Sequence, residues 1–358
     1  MIRQHGKLTF LSFLLVVLCG NTFAQKIPVI PLDLDSLITV GYATGSLKTL
    51  SGSVEKITEK QMNKDQVTNP LEAIRGRVPG LTIQRGTNGP AALDAVRLRG
   101  TTSLTSGNDP LIIVDGVFGD LSMLTSIYPT DIESFTILKD ASETAQYGSR
   151  GASGVIEVTT KKGMQGRTQV AYNGSFGIST VYKNLKMLSG DEFRSVASER
   201  GISILDKGNN TNFQKEIQQT GLQQNHHVAF YGGSSTSSYR VSLGFMDRQG
   251  VILNEDMKNF TSNMNMNQKM FDGFFDCELG MFGSILKNHN LVDYQKTFYS
   301  AATFNPTYPN HKDPVTNSWD GITTASQITN PLAWMQVDDD DATSHISTHA
   351  RFTFNLMK

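Results

Sequence analysis

The sequence predicts a small α/β domain followed by the first strands of an antiparallel membrane β-barrel. Three observations predict it. The N-terminus has the layout of an export signal. Short apolar strand candidates separated by turns fill the stretch from about Ser51 to Gly163. From Met164 onward, small or polar residues alternate with large ones in runs joined by tight turns and long polar connections, as in a membrane β-barrel. A soluble β-sandwich would show a similar alternation, and the export signal favours the barrel.

The signal is read from its three parts. Arg3 and Lys7 form a basic start, Leu8 to Leu18 is apolar, and Thr22-Phe23-Ala24 offers a small-residue cleavage site before Gln25. No acid precedes Asp33. The apolar run is about half of the ~20 residues that span a bilayer as a helix. A lipoprotein signal at Cys19 fits less well, because Leu18 stands where a small residue is expected. Cleavage after Ala24 leaves Cys277 as the one thiol of the mature chain, with no disulfide. Uncharged apolar stretches after the signal, such as Leu111 to Val114, are only four residues long, so any passage through a membrane must use β-strands.

Composition narrows the function classes. The 32 basic residues nearly balance the 33 acidic ones, so no field is aimed at nucleic acid and no basic run tracks a phosphate backbone. A content of 38% hydrophobic residues, with 19 Phe and 10 Tyr, is too apolar for a disordered chain. Two Cys are too few for a disulfide scaffold or a zinc site built on cysteine pairs.

In the α/β region, Asn69-Pro70-Leu71-Glu72 opens a helix. Asn69 suits the cap, Pro70 the first helical position, and Glu72 can complete a capping box. Val78-Pro79-Gly80 stops it. Leu81 to Gln84 and Val96 to Arg99 alternate as strands, and Leu111 to Val114 is a buried strand turned by Asp115-Gly116. Ser134 to Leu138 and Val155 to Thr160 complete the strands. Asp140 to Tyr147 suits a short helix, with turns at Gly148, Gly151 and Gly154. Beyond Met164 the strand candidates are Gln169 to Phe176, Asn225 to Tyr231, Tyr239 to Phe245, Thr261 to Gln268, Phe271 to Ile285 and Ser347 to Leu356.

Four ordered stretches carry a family resemblance: Leu37 to Val54 (LITVGYATGSLKTLSGSV), Asn69 to Ile83 (NPLEAIRGRVPGLTI), Val96 to Gly116 (VRLRGTTSLTSGNDPLIIVDG) and Asp131 to Gly163 (DIESFTILKDASETAQYGSRGASGVIEVTTKKG). Together they resemble the plug of SusC/RagA-type TonB-dependent outer-membrane transporters. The resemblance implies an α/β plug domain followed by an incomplete antiparallel transmembrane β-barrel of five or six strands. It divides the chain into a signal peptide (1–24), an N-terminal segment with a TonB-box-like strand (25–50), a plug (51–163) and the N-terminal part of a barrel (164–358). The residues after Gly163 are too few for a large barrel of about 22 strands at ~10 residues each. The chain is therefore expected to be an N-terminal piece of a longer transporter. The alternative is a fragment that only associates with other chains.

The function implied is TonB-dependent import of an oligosaccharide or peptide across the outer membrane. Its partners would be the TonB-ExbB-ExbD energising complex and a SusD-like lipoprotein, with no cofactor and no enzyme chemistry. The β-prone segment Leu37, Ile38, Thr39, Val40, Gly41 and Tyr42 is expected to contact TonB as an added strand. Arg75, Arg77, Arg97 and Arg99, together with Arg85, are expected to anchor the plug to a polar barrel wall.

Other constellations are read as structural. His345 and His349 lie four apart in an alternating run. On a strand that puts them roughly 13 Å apart, too far to share an ion. His226 and His227 point to opposite faces of their strand. Asp338 to Asp341 lacks the spacing and central Gly of a calcium loop and reads as a solvated loop tip. Gly148, Gly151 and Gly154 lack the Lys-Ser/Thr of a phosphate loop. No Ser, Cys or paired carboxylates stand in a catalytic setting. The mature protein is expected to begin at Gln25, which mass spectrometry of the exported chain tests; a lipidated Cys19 would contradict it.

Overall fold

The computed structural model describes residues 37–40, 43–46 and 52–356, apart from 64–66, 68, 85, 87–94, 106, 292, 322–328 and 338. Two bodies follow one another along the chain. The first is built on a five-stranded sheet in the order β3-β8-β9-β6-β7, with β3 at Val54–Thr58, β6 at Leu111–Val114, β7 at Val117–Gly119, β8 at Ile132–Leu138 and β9 at Val155–Thr160. β6 runs parallel to β9, and the other pairs are antiparallel. All four residues of β6 are buried, as a strand covered on both faces requires. Asp115 and Gly116, with φ of 48° and 89°, turn it into β7, as the Asp-Gly pair predicts. Ile112, Phe135, Ile137, Ile156 and Val158 form the core with Leu71, Ile74 and Leu124. A separate hairpin pairs β4 (Leu81–Gln84) with β5 (Ala95–Leu98).

The helix expected from Asn69 is shorter than the sequence suggests. Asn69 does cap it, its side chain accepting from the Leu71 N–H at 3.0 Å, but the element is one 3₁₀ turn, Pro70–Ala73. Arg77 N–H bonds to the Ile74 carbonyl and Gly76 takes a φ of 71°, so the chain leaves helical geometry before Val78.

The second body is a six-stranded antiparallel meander: β10 (Gly166–Ser179), β11 (Gly221–Gly233), β12 (Ser237–Gln249), β13 (Asp256–Met270), β14 (Phe275–His289) and β15 (Asp340–Phe354). Its sidedness is the reverse of a soluble sheet. The face toward the plug carries buried polar residues: His227, Arg240, Ser242, Asn259, Thr261, Asn263, Asn265 and Ser284. The opposite face carries exposed apolar ones, including Tyr172 and Phe176 (64% and 63% exposed), Phe230, Leu243, Phe260, Met281 and Ile285. A water-facing sheet cannot sustain that pattern, whereas a barrel wall with lipid outside and a polar lumen inside demands it. The alternation therefore belongs to a barrel wall and not to a sandwich.

Tight turns join β11 to β12 and β13 to β14 at one rim, and long connections join β10 to β11 and β14 to β15 at the other. The sequence reads those connections as polar loops, yet they fold. Ser189 and Glu192 form a capping box for the helix Gly190–Glu199, and further helices span Phe213–Glu216, Tyr294–Thr303 and Pro331–Trp334. Phe213, Ile217, Ile252, Leu291, Ala301, Phe304 and Met335 give this rim a core of its own. The apolar residues are spread over three connections, so no single stretch shows a helical period.

The segment 51–163, expressed alone, is expected to melt cooperatively. Ile156→Ala should cost it about 2–5 kcal/mol by emptying the centre of the sheet. Thermal or denaturant unfolding of both forms checks this.

Candidate functional site

The two bodies meet through a buried carboxylate. Asp131 ends the 3₁₀ turn Pro129–Asp131 just before β8, and its side chain is 3% exposed. Oδ1 accepts from Arg240 Nη2 at 2.8 Å and from His227 Nε2 at 3.0 Å, and Oδ2 accepts from the Ser242 hydroxyl at 2.6 Å. His227 lies on β11, and Arg240 and Ser242 lie on β12. The β11–β12 register aligns Ala229 with Ser242 and Tyr231 with Arg240, so the donors line one inward face. Tyr128 stacks on His227 with ring centroids 4.6 Å apart and fits over Gly244, where any side chain would strike its ring. Burial works against the charge on Asp131. The bonds from His227, Ser242 and Arg240 outweigh it and hold the carboxyl below its ordinary value.

The seam continues on either side. Asn259 donates to the Thr125 carbonyl at 3.0 Å, Asn265 to Thr160 Oγ1 at 3.0 Å, and the Ser284 and Ser126 hydroxyls lie 3.1 Å apart. Phe282 of β14 enters the plug core itself. Lys162 pairs with Glu278, which also has Arg351 at 3.5 Å. Polar contacts to the plug thus come from β11, β12, β13 and β14.

The four predicted arginine anchors make other bonds. Arg75 donates to the Ile83 carbonyl at 3.1 Å and Arg77 to Asn63 Oδ1 at 2.9 Å. Arg97 pairs with Asp109 and donates to the Val96 carbonyl at 2.7 Å, and Arg99 pairs with Asp140. All these partners lie inside the plug. The plug's charged contacts to the six described wall strands come from Asp131 and Lys162. Sequence reasoning missed Asp131 because it reads as an ordinary turn residue; the available signal was the polar phase of β12, Arg240 and Ser242 in step.

At the N-terminus, Leu37–Val40 forms β1 and pairs antiparallel with β2 (Ala43–Ser46), Leu37 opposite Ser46 and Val40 opposite Ala43. Among the described residues this hairpin has no third strand. Gly41 and Tyr42 lie outside the described residues, as does Arg85.

His345 and His349 both sit on the inward side of β15, with the His349 ring lying over Gly280. No group of three or more metal-binding side chains occurs among the described residues. His226 and His227 do face opposite ways, His226 bonding the Tyr172 hydroxyl at 2.7 Å on the outer side. Asp340 opens β15 and accepts from His289 Nδ1 at 2.7 Å, while Asp338 lies outside the described residues.

Residues 46–155 match the TonB-dependent receptor plug domain. The chain is 33% identical over 314 residues to the TonB-dependent receptor SusC of Bacteroides thetaiotaomicron, covering 83% of this chain and 31% of that protein. It is 35% identical over 266 residues to TonB-dependent receptor P3 of Formosa agariphila, covering 74% of this chain and 26% of that one. Among solved structures, the RagAB peptide importer in its open-open state superposes with a TM-score of 0.73 at 24% identity, over 90% of this chain and 41% of that one. The chain belongs to the SusC/RagA-type TonB-dependent receptors. It spans between a quarter and a third of the length of these curated relatives. The first body is thus the plug, and the six strands are part of the barrel wall around it.

Asp131→Ala should cost about 3–5 kcal/mol, because it leaves Arg240 buried without its counter-charge. The contribution of the pair is complete above the ordinary value of 3.8 and disappears as pH falls through the lowered folded value. Protease protection of the plug seam, followed from pH 7 into acid, reports both effects.

Proposed function

We propose that the chain supplies the plug and first wall strands of an importer that moves an oligosaccharide or peptide across the outer membrane. The observation that carries this reading is the wall's sidedness combined with the seam: lipid-compatible residues outside, polar residues inside, and a folded domain bonded to that inner face. Such a domain blocks the lumen until it shifts, so passage requires work delivered to it. The outer membrane has no nucleotide supply, and the work must arrive mechanically. The open hairpin of β1 and β2 precedes the plug in the chain, where a pulling partner would attach. A strand with free main-chain groups can be extended by a strand from TonB, backed by ExbB and ExbD. The rim with long connections is the outer one by the usual asymmetry of such barrels. There a SusD-like lipoprotein would cover the mouth and retain the substrate. The peptide class is supported by the likeness to the RagAB peptide importer, and the oligosaccharide class rests on the family resemblance of the sequence.

Ile38→Pro removes a main-chain donor and bends the strand, so it should abolish uptake while leaving substrate binding at the cell surface intact. Ile38→Val should do little, since main-chain pairing dominates this mode. Uptake and surface binding of labelled peptide and oligosaccharide pools by cells carrying each form check this. Normal uptake by the Pro variant would place the contact strand elsewhere.

A further inference from the structure

The outer rim holds a buried acid that the transport reading does not use. Glu255 ends the connection 250–255 between β12 and β13 and is 3% exposed. Its carboxylate folds back beneath Gly250, where even a methyl group would strike it. The Ile252 N–H donates to it, and among the described residues Oε1 has no partner. Among the described residues, the charged or titratable groups facing it are Arg248 at the end of β12 and the Tyr294 phenol on the helix Tyr294–Thr303.

This connection is the point where the outer rim is fastened to the wall. Val251, Ile252 and Leu253 insert into the apolar cluster of Phe213, Ile217, Leu291, Phe304 and Met335. Gln219 N–H bonds to the Val251 carbonyl, and Leu253 N–H to the Ile217 carbonyl, each at 2.9 Å. The Asn254 side chain donates to the Met335 carbonyl at 2.6 Å. Both long connections are thereby tied to the short one that Glu255 closes.

We infer that Glu255 is a pH-responsive fastener of this outer cap: with the carboxyl neutral the three connections stay packed, and its ionisation loosens them from the rim. The chemistry is one proton lost to solvent. A neutral carboxyl tolerates an unpartnered oxygen in an apolar setting, whereas a carboxylate there lacks the donors it needs. Burial pushes the Glu255 carboxyl up to about 7, against the opposing pull of the Ile252 N–H and Arg248. Because the packed value lies above the ordinary 4.5, the stabilisation is fully present below 4.5 and is lost as pH rises through about 7. The inference concerns cap packing alone and stands whatever the transported substrate.

Hydrogen exchange of the membrane-inserted protein between pH 4.5 and 8.5, corrected for intrinsic rates, tests it. The Gln219 and Leu253 amides report on the cap, and amides of β8 and β9 serve as an internal reference. Protection of the cap should fall by roughly tenfold per pH unit between 5 and 7 and level off above. In Glu255→Gln the cap should remain protected with no slope, and in Tyr294→Phe the slope should persist. A flat profile in the unaltered protein would overturn the inference without reference to any variant. So would an unchanged slope in Glu255→Gln, a slope abolished by Tyr294→Phe, or a parallel fall in the plug amides.

Discussion

The architecture turns on one buried charge. Asp131 carries a carboxylate into the seam between plug and wall, and the wall meets it with an imidazole, a guanidinium and a hydroxyl from two neighbouring strands. Taking such a charge from water costs several kcal/mol unless geometry and hydrogen bonds compensate. The compensation requires β11 and β12 in their observed register, because a slip of one residue would turn Arg240 and Ser242 toward lipid. The same contact requires the turn before β8 to be formed. Plug and wall therefore specify each other at this point, and apolar contact alone would not fix their orientation.

The plug was legible because its signals are local. Leu111 to Val114, the Asp115-Gly116 turn and the cap at Asn69 each depend on residues close in sequence, and each appears in the structure. The wall was legible in outline for the same reason, since a period of two is visible within one strand. What escaped was everything that joins distant segments. Asp131 is separated from Arg240 by more than a hundred residues, and no local pattern links them. The arginines are dense along the chain, and density does not choose between a partner in the plug and one in the wall. The rim helices escaped for a related reason: their core is assembled from three connections, each contributing too few apolar residues to show a period.

The wall and the rim also obey different solvents. Along β11 to β14 most of the buried residues are polar, because that face meets the plug and lumen while lipid accepts the apolar face. Above the strand ends the ordinary rule returns, and Phe213, Ile252 and Phe304 turn inward away from water. The reversal takes place within a few residues of the strand termini. Glu255 sits at that transition, next to the first residue of β13. A carboxyl there is withdrawn from water without entering the hydrogen-bonded lumen.

Phe282 belongs to the wall by sequence and to the plug by packing. The plug precedes β14 in the chain, so its core is complete only once a strand that follows it is in place. Until then the nascent domain presents an apolar recess shaped for that ring. A plug folded without β14 would be adhesive at that one spot. Closing that spot ties maturation of the plug to insertion of the strand that carries Phe282.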